Sequence, residues 1–283
     1  MGSIGFVFNS NSSEAVRLAE HTAQWLIEHG HRTQILSAGP PHSERGGAPD
    51  GLDLAVSLGG DGTMLRTVDL VCSQEVPVLG VNLGHLGYLT VVEPAGLEQA
   101  LVRFLDGEFA VESRMTFDVT LGEPPPGGNG KAGRVSRSAL NDVVLQRSLV
   151  GHTIHTKVAV NGTPFLDFVS DSLILATPTG STAYNLSARG PIVSPKARVS
   201  VLTPVAPHML FDRSMILCEE DEVAITASGE SPVEVVVDGW RTATLQPGQS
   251  VQCRKGEKDA LLVTFERRDF HRILKAKFDL KDR

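Results

Sequence analysis

The sequence of 283 residues contains little cysteine and no long apolar run, and each shortage excludes a class of protein. Its three cysteines, Cys72, Cys218 and Cys253, are far apart and match neither a disulfide framework nor the spacing of a zinc site. No apolar stretch approaches the roughly 20 residues of a membrane-spanning helix. The first residues lack the basic start of a signal peptide. We therefore expect a soluble cytoplasmic protein without a membrane partner.

Positive charge is also in short supply. The chain carries 26 Lys and Arg against 33 Asp and Glu, a formal net charge of −7, and no basic block stands out. Because nucleic-acid binding needs a basic surface, we expect no nucleic-acid partner. The composition is otherwise that of an ordinary globular protein, and the length allows one or two domains.

The first hundred residues alternate between short apolar runs and helical patterns. The predicted strands are residues 4–8, 33–37, 52–58 and 76–81, and the predicted helices are residues 14–29, 64–73 and 97–106. This alternation predicts a parallel sheet covered by helices. Ligands of such sheets bind beyond the carboxyl ends of the strands.

After about residue 108 the pattern changes to many short strands with tight turns at Asn161-Gly162 and Asp238-Gly239, which predicts a largely antiparallel β domain. The strand candidates are residues 117–121, 143–146, 153–160, 173–176, 199–202, 215–217, 222–226 and 234–237. Residues 122–133 are predicted to be a flexible loop. The predicted organisation is an α/β domain over residues 1–107, a β-rich domain over 108–264 and a C-terminal segment, 265–283. Its helix, over residues 269–278, should pack back on the first domain through the apolar side chains Phe270, Ile273, Leu274 and Phe278.

Residues 59–63, Gly-Gly-Asp-Gly-Thr, follow the third predicted strand and are the first candidate site. Three glycines in four positions let a polyanion approach the backbone amides, and the helix that follows favours anions at its N-terminus. Asp61 is unexpected there because a carboxylate repels phosphate. It has either a chemical role or a structural one as a helix cap. Neither a Walker A motif nor the G-x-G-x-x-G fingerprint is present, which disfavours P-loop ATPases and Rossmann dehydrogenases.

A second candidate site is residues 176–187, which leave a strand, turn through Pro178 and Gly180 and enter a predicted helix capped by Ser181 or Thr182. Its hydroxyl groups and amides suit sugar hydroxyls or phosphates, and Tyr184 offers an aromatic face to a base. A strand–turn–helix connection without any ligand needs the same residue types, so composition alone leaves both readings open.

Together the two segments resemble the NAD kinase family, whose bacterial members use ATP or polyphosphate. The resemblance is carried by residues 59–63 and 177–184, with further matches at 84–88, Asn141-Asp142, 207–208 with Arg213, and 238–239. Diacylglycerol and sphingosine kinases share the glycine–aspartate loop, whereas the segment 177–184 is more specific to NAD kinases.

The resemblance implies transfer of the terminal phosphoryl group of ATP or polyphosphate to the adenosine 2′-hydroxyl of NAD, at a cleft between the two domains. Mg²⁺ would be carried mainly by the donor phosphates, and the protein would be a homodimer or homotetramer. Asp61 would be the general base, because an ionised carboxylate can orient the hydroxyl and accept its proton.

The remaining expected contacts divide between the two substrates. The expected donor-binding residues are Gly59, Gly60, Gly62, Thr63 and Arg66. The expected NAD-binding residues are Asp61, Gly62, Tyr88, Asn141, Asp142, His152, Asp171, Thr182, Ala183, Tyr184, Asn185, Leu186, Ser187 and Trp240.

The sequence departs from the family pattern at three positions. Asp142 stands where the family usually has Glu, Arg189 interrupts a usual Gly-Gly pair, and Ser214 replaces a common Pro. A lipid or sphingoid kinase and a non-catalytic dinucleotide sensor are the alternative functions. The segment 177–184 counts against the first, and the retained Asp61 counts against the second.

Overall fold

The computed structural model describes residues 1–37, 48–84, 87–121, 136–148, 151–266 and 269–279. The chain divides into two compact units. The first comprises Met1–Arg114 and Asp259–Arg283, and the second comprises Met115–Lys258. No helix in the described ranges is long and apolar enough to cross a membrane.

The first unit is built on one six-stranded sheet with helices. Its strands, numbered along the whole chain, are β1 (Ser3–Phe8), β2 (Arg32–Ser37), β3 (Leu54–Gly59), β4 (Val78–Asn82), β5 (Ala110–Arg114) and β18 (Ala260–Thr264). Its helices are α1 (Ser13–Glu28), α2 (Asp61–Val71), α3 (Leu97–Leu105) and α5 (Phe270–Lys277), with 3₁₀ turns at Cys72–Gln74 and Pro94–Gly96.

The sheet has the strand order β2-β1-β3-β4-β18-β5, and its pairs are parallel except for the antiparallel pair of β18 and β5. The chain passes from β1 to β2 on one side and then returns to place β3 on the other side of β1. Such a switch point opens a binding crevice at the carboxyl ends of the two central strands. β3 therefore delivers the glycine loop to the edge of the sheet where ligands bind.

Local sequence explains the helices of this unit. Along α1, Ala15, Ala19 and Leu26 recur at helical spacing and are buried, while the Ser12 hydroxyl accepts the Ala15 amide as an N-cap. Gly30, with φ of +82°, follows the helix where a left-handed residue ends the turn. The predicted helix over residues 14–29 is therefore confirmed almost to its ends.

The C-terminal helix belongs to the first unit, as expected. Asp269 caps α5 by accepting the amides of His271 and Arg272, and this bonding lowers the pKa of its carboxyl group. The apolar stripe is only half covered, since none of the α5 side chains is buried and Phe278 is 44% exposed. The helix thus lies on the unit without entering its core.

The described part of the second unit contains twelve strands and a short helix. The strands are β6 (Phe117–Leu121), β7 (Ser136–Ala139), β8 (Asp142–Arg147), β9 (Ile154–Val160), β10 (Thr163–Ser170), β11 (Ser172–Ala176), β12 (Val199–Val205), β13 (Met215–Cys218), β14 (Val223–Ala227), β15 (Val233–Val237), β16 (Trp240–Leu245) and β17 (Ser250–Lys255). A 3₁₀ turn at Gly180–Thr182 precedes the helix α4 (Tyr184–Ser187).

These strands form two six-stranded antiparallel sheets, with the orders β10-β9-β14-β17-β6-β7 and β13-β12-β11-β8-β15-β16. Alternating apolar side chains from both sheets, such as Val158 and Leu145, share one buried cluster. The turns at Asn161-Gly162 and Asp238-Gly239 have positive φ at both residues, as two-residue hairpin turns of the I′ type require. The antiparallel β-rich prediction is confirmed.

The unit boundaries lie at residues 114/115 and 258/259, whereas the predicted boundaries were 107/108 and 264/265. The difference arises because β5 and β18 pair with each other inside the first sheet. The predicted loop over residues 122–133 lies outside the described residues. Strands β5, β7, β10, β16, β17 and β18 were not predicted, since several of them are exposed and lack a clear period-two pattern.

Candidate functional site

The glycine loop joins β3 directly to α2. β3 ends at Gly59, Gly60 is the extended N-cap residue, and the helix begins at Asp61 rather than at the predicted residue 64. The first amides of a helix have no acceptor within the helix itself, and they carry the positive end of its dipole. The loop therefore presents backbone N–H groups at the carboxyl edge of the sheet.

Asp61 does not cap its own helix. Its carboxylate accepts the amide of Tyr88 at 2.8 Å on Oδ2 and the amide of Leu89 at 3.0 Å on Oδ1. A carboxylate held by two amides has a fixed orientation, and its remaining lone pairs stay available as acceptors. The structural alternative of a helix cap is therefore wrong, and the segment that follows β4 holds the carboxylate instead.

Glycine occupies the positions around this carboxylate for different physical reasons. A methyl group on Gly59 would overlap the Thr63 side chain, and one on Gly87 would overlap the Asp61 carboxylate. At Gly60 and Gly62, a methyl group would meet nothing within 4 Å among the described residues, and neither residue has a positive φ. Packing within the chain thus explains Gly59 and Gly87. The other two are consistent with close approach by a molecule from outside.

The other two predicted donor residues are also at the loop. The Thr63 amide donates to the Gly60 carbonyl at 3.0 Å, so this amide is occupied within the loop. Arg66 lies one turn into α2, and partial burial lowers the pKa of its guanidinium, which stays charged. Among the described residues, no group of three His, Cys, Asp or Glu side chains is placed to hold a metal ion.

In the second unit, Asp238 organises the start of β8. Its carboxylate accepts the amides of Leu140 at 2.8 Å, Asn141 at 2.7 Å and Asp142 at 3.1 Å. Asp238 reaches these amides from the hairpin between β15 and β16, where its φ is +49°. The Asp238-Gly239 turn is therefore a support for the Asn141-Asp142 pair as well as a hairpin.

Asp142 is buried beside this carboxylate, with 5% of its surface exposed. Burial, and secondarily the charge of Asp238, raise the pKa of Asp142 to about 7. The side chain therefore carries a proton for part of the time at neutral pH, and a protonated carboxyl donates as well as accepts hydrogen bonds. The shorter side chain at this family position thus sits in an environment that changes its chemistry.

Residues 177–180 lie against the segment 140–142, to which Thr177 is hydrogen-bonded. The Thr177 amide donates to the Asn141 carbonyl at 2.8 Å, and the Thr177 hydroxyl donates to the Leu140 carbonyl at 2.5 Å. A methyl group on Gly180 would overlap the Asn141 backbone, so only glycine permits this approach. The structure thus brings together the two sequence segments, which are 35 or more residues apart in the chain.

Asn185 is the centre of a buried hydrogen-bond network. Its side-chain amide donates to the carbonyls of Ser181 and Pro191 at 3.0 Å each, and its Oδ1 accepts the Thr203 hydroxyl at 2.7 Å. The residue is 0% exposed. Both polar atoms of the Asn185 side chain therefore have partners within the chain.

The helix after this turn is shorter and begins differently from the prediction. α4 covers Tyr184–Ser187, and its N-cap residue is Ala183. Among the described residues, no side chain caps this helix. Ser181 and Thr182 instead donate to the carbonyls of Pro178 at 2.7 Å and Thr179 at 3.2 Å. The predicted cap is therefore wrong, and both hydroxyl groups fold the turn.

The remaining predicted residues of this unit have varied exposure. Tyr184 is 41% exposed, Ala183 and Leu186 are half-buried, and Ser187, His152 and Trp240 are exposed. Asp171 is half-exposed and accepts Arg147 at 3.0 Å, so its carboxylate is already paired. Tyr184 is the residue that best combines an aromatic surface with access.

Two of the departures from the family pattern have visible consequences. Arg189 adopts a φ of +64°, the left-handed region where glycine is favoured, so it carries local backbone strain. The Ser214 hydroxyl lies 2.9 Å from that of Thr203, which contacts Asn185. Ser214 therefore supplies a polar partner where a proline would supply none.

Sequence reasoning missed the residues that hold the predicted ones. The Leu89 amide binds Asp61, Gly87 leaves room for its carboxylate, and the Thr203 hydroxyl binds Asn185. The glycine at position 87, next to Tyr88, was a signal for close backbone approach, but its partner lies 26 residues earlier and no local pattern identifies it.

The glycine loop, the fixed carboxylate and the α/β sheet define a phosphotransferase of the Gly-Gly-Asp-Gly class attached to a β-rich unit. The model of the ATP-NAD kinase N-terminal domain matches residues 45–109, and that of the ATP-NAD kinase C-terminal domain matches residues 140–265. The chain belongs to the NAD kinase family.

Full-length relatives agree with this assignment. The chain is 35% identical to the NAD kinase of Syntrophotalea carbinolica over 292 aligned positions, covering 100% of both chains. It is 36% identical to the NAD kinase of Heliobacterium modesticaldum, covering 98% of both.

Two solved structures share the fold. Yeast NADH kinase complexed with NADH is 23% identical, with a TM-score of 0.81, and the match covers 100% of this chain and 89% of that one. The NAD kinase from Archaeoglobus fulgidus in complex with ATP is also 23% identical, with a TM-score of 0.72 and coverage of 98% and 97%. At this identity the likeness supports the fold.

Proposed function

We propose that this protein is an NAD kinase that transfers the terminal phosphoryl group of ATP or polyphosphate to the adenosine 2′-hydroxyl of NAD, giving NADP. The observation that carries this proposal is the Asp61 carboxylate, held by two amides beside glycines that are open to an outside molecule. Membership of the NAD kinase family supports the identity of the acceptor.

In the proposed reaction, Asp61 orients the acceptor hydroxyl and receives its proton as the new O–P bond forms and the bond to the leaving phosphate breaks. Phosphoryl transfer proceeds through a loose transition state, so alignment and charge neutralisation supply most of the rate. The amides at the start of α2 and the Arg66 guanidinium stabilise negative charge on the donor. The donor enters as its Mg²⁺ complex, and the metal is part of the substrate.

We assign most of the dinucleotide contacts to the second unit, in addition to those expected of Asp61, Gly62 and Tyr88. Tyr184 offers an exposed ring for stacking on a base, and Asn141 stands at the start of β8 next to Asp142. The pKa of the Asp142 carboxyl is raised to about 7, so both of its forms are present at neutral pH. The protonated form donates a hydrogen bond to a ribose hydroxyl, and the ionised form accepts one from it. A hydroxyl group can serve as the partner in either state.

The first experiment is an assay of products. The purified protein is incubated with Mg-ATP or Mg-polyphosphate and with NAD, NADH or diacylglycerol, and the products are separated by chromatography. We expect NADP from NAD. Phosphorylation of the lipid alone would contradict the proposal in favour of a lipid kinase, and NAD binding without turnover would favour a sensor.

The second experiment tests Asp61 itself. We expect Asp61→Asn to abolish NADP formation while NAD binding stays within about tenfold. Asn keeps one acceptor oxygen for the two amides of Tyr88 and Leu89, so hydrogen exchange at those amides must be measured in parallel. Full activity in the variant would contradict the general-base role.

We also propose a homo-oligomeric state, a homodimer or homotetramer, in the cytoplasm. Exposed apolar side chains at and beside the edge strand β13, namely Leu210, Phe211 and Ile216, support self-association. Light scattering on the purified protein measures the mass, and a monomer at micromolar concentration would contradict this part of the proposal.

A further inference from the structure

Helix α5 lies against the segment that holds Asp61, but it is not closely packed there. A cavity of about 610 Å³ separates the two, with Gly87 and Thr90 in one wall and Ile273 and Ala276 in the other. None of the α5 side chains is buried. Close packing therefore does not hold the helix to this segment across the cavity. A direct side-chain contact beside the cavity can do so.

Such a contact exists at the last residue of α5. The Lys277 ammonium lies 4.3 Å from the centre of the Tyr88 ring, within the range of a cation–π interaction. The backbone amide of the same Tyr88 donates to the Asp61 carboxylate at 2.8 Å. Tyr88 therefore links Lys277 to the proposed general base. Its ring contacts the ammonium group, and its backbone amide binds the Asp61 carboxylate.

We propose that Lys277 is a positioning residue for phosphoryl transfer, holding Tyr88 and thereby the amides that orient Asp61. The inference rests on the proposed function. The ring of Tyr88 has an ammonium group on its face, so the rotation of this residue is restricted, and its amide stays directed at the carboxylate. Loss of the ammonium group frees the ring. The amides of Tyr88 and Leu89 then alternate between conformations that are hydrogen-bonded to Asp61 and conformations that are not.

The test compares Lys277→Met with Lys277→Arg, because a guanidinium keeps the cation–π contact. The control is Lys275→Met, which removes the same charge from an exposed position about 200° around the same helix. We expect Lys277→Met to lower kcat about two- to fivefold, the change that one partly exposed cation–π contact supplies. The KM values for NAD and ATP should stay within about twofold, and Lys277→Arg and Lys275→Met should match the wild type.

Hydrogen exchange at the amides of Tyr88 and Leu89 is a second measurement that does not depend on activity. It should be faster in Lys277→Met and normal in Lys277→Arg. In a Tyr88→Leu background, Lys277→Met should have no further effect on exchange, because the ring is already gone. A wild type without turnover would reject the proposed function, whereas unchanged exchange in Lys277→Met rejects the positioning role by itself.

Three results would overturn the inference. Unchanged kcat and exchange in Lys277→Met would show that the contact positions nothing. A raised KM for ATP at constant kcat would place the ammonium on the donor phosphates. A loss of kcat much greater than fivefold would exceed what the contact supplies and would assign Lys277 a direct role in the reaction. If Lys277→Met does not fold, Tyr88→Leu keeps the inference testable. Faster exchange at the Leu89 amide in that variant supports the positioning role of the ring, and unchanged exchange rejects it.

Discussion

Gly87→Ala should disable the protein without removing any functional group. The new methyl group would overlap Oδ1 of Asp61 and lie 2.9 Å from the Thr90 hydroxyl and 3.0 Å from Asp61 Cγ. These distances are shorter than real carbon contacts, so the carboxylate must move away from the amides that bind it. Overpacking of this kind costs about 1–3 kcal/mol of stability.

The effect on turnover should be larger than the effect on stability. A misplacement of about 1 Å in a catalytic group costs roughly 100-fold in rate, so we expect kcat for NADP formation to fall by about two orders of magnitude. NAD binding should stay within about tenfold, because most of the expected dinucleotide contacts lie in the second unit. The measurements are steady-state NADP formation, NAD titration and urea unfolding.

Gly96→Ala is the matched control for this substitution. Its methyl group would meet Val92 at 3.7 Å, an ordinary van der Waals contact, so activity and stability should stay near those of the wild type. The reasoning is refuted if Gly87→Ala retains kcat within about threefold, because Asp61 would then tolerate displacement or the backbone would absorb it at no cost.

Four further predictions follow from buried or strongly bonded groups. Because burial, and secondarily the charge of Asp238, raise the pKa of Asp142 from 3.8 to about 7, the folded state binds this proton more tightly than the unfolded chain does. The contribution of this group to the free energy of unfolding should be full below about pH 4 and be lost as pH rises to about 7, by at most about 4 kcal/mol. Urea unfolding against pH measures this, and Asp142→Asn should flatten the profile. Asp238→Asn removes the neighbouring charge and should lower the Asp142 pKa, measured by NMR titration. Burial and Asp61 raise the pKa of Tyr88, so Asp61→Asn should lower it in a tyrosinate absorbance titration. Asn185→Leu should reduce the free energy of unfolding by about 2–5 kcal/mol, because buried donors and acceptors lose their partner.

The strands and helices of the first unit were largely predictable because their signals are local. The buried strand β3 is apolar at almost every position, and α1 repeats its apolar residues at helical spacing with a cap before it and Gly30 after it. The hairpin turn at Asp238-Gly239 was also predictable, since few residue pairs adopt positive φ twice. By contrast, β5 is largely exposed and carries no alternating pattern, so it was missed.

The candidate site was only partly predictable. Composition and motif located the glycine loop, but the reason for each glycine needed coordinates, since Gly59 and Gly62 read alike in the sequence and differ in their surroundings. Asn185 sits within a segment of site candidates, yet burial assigns it to the fold. A linear pattern records which residue types occur and cannot record which of their atoms already have a partner.

The sequence by itself determined most of the elements, the two kinds of sheet and the family, because periodicity, turn chemistry and short motifs act over a few residues. The tertiary structure decided what the central carboxylates do. Asp61 is held by amides that follow β4, and the Asp142 pKa depends on burial and on Asp238, a residue of another strand's hairpin. Hydrogen bonds and electrostatic shifts depend on distance in space, and only the folded chain brings these groups together.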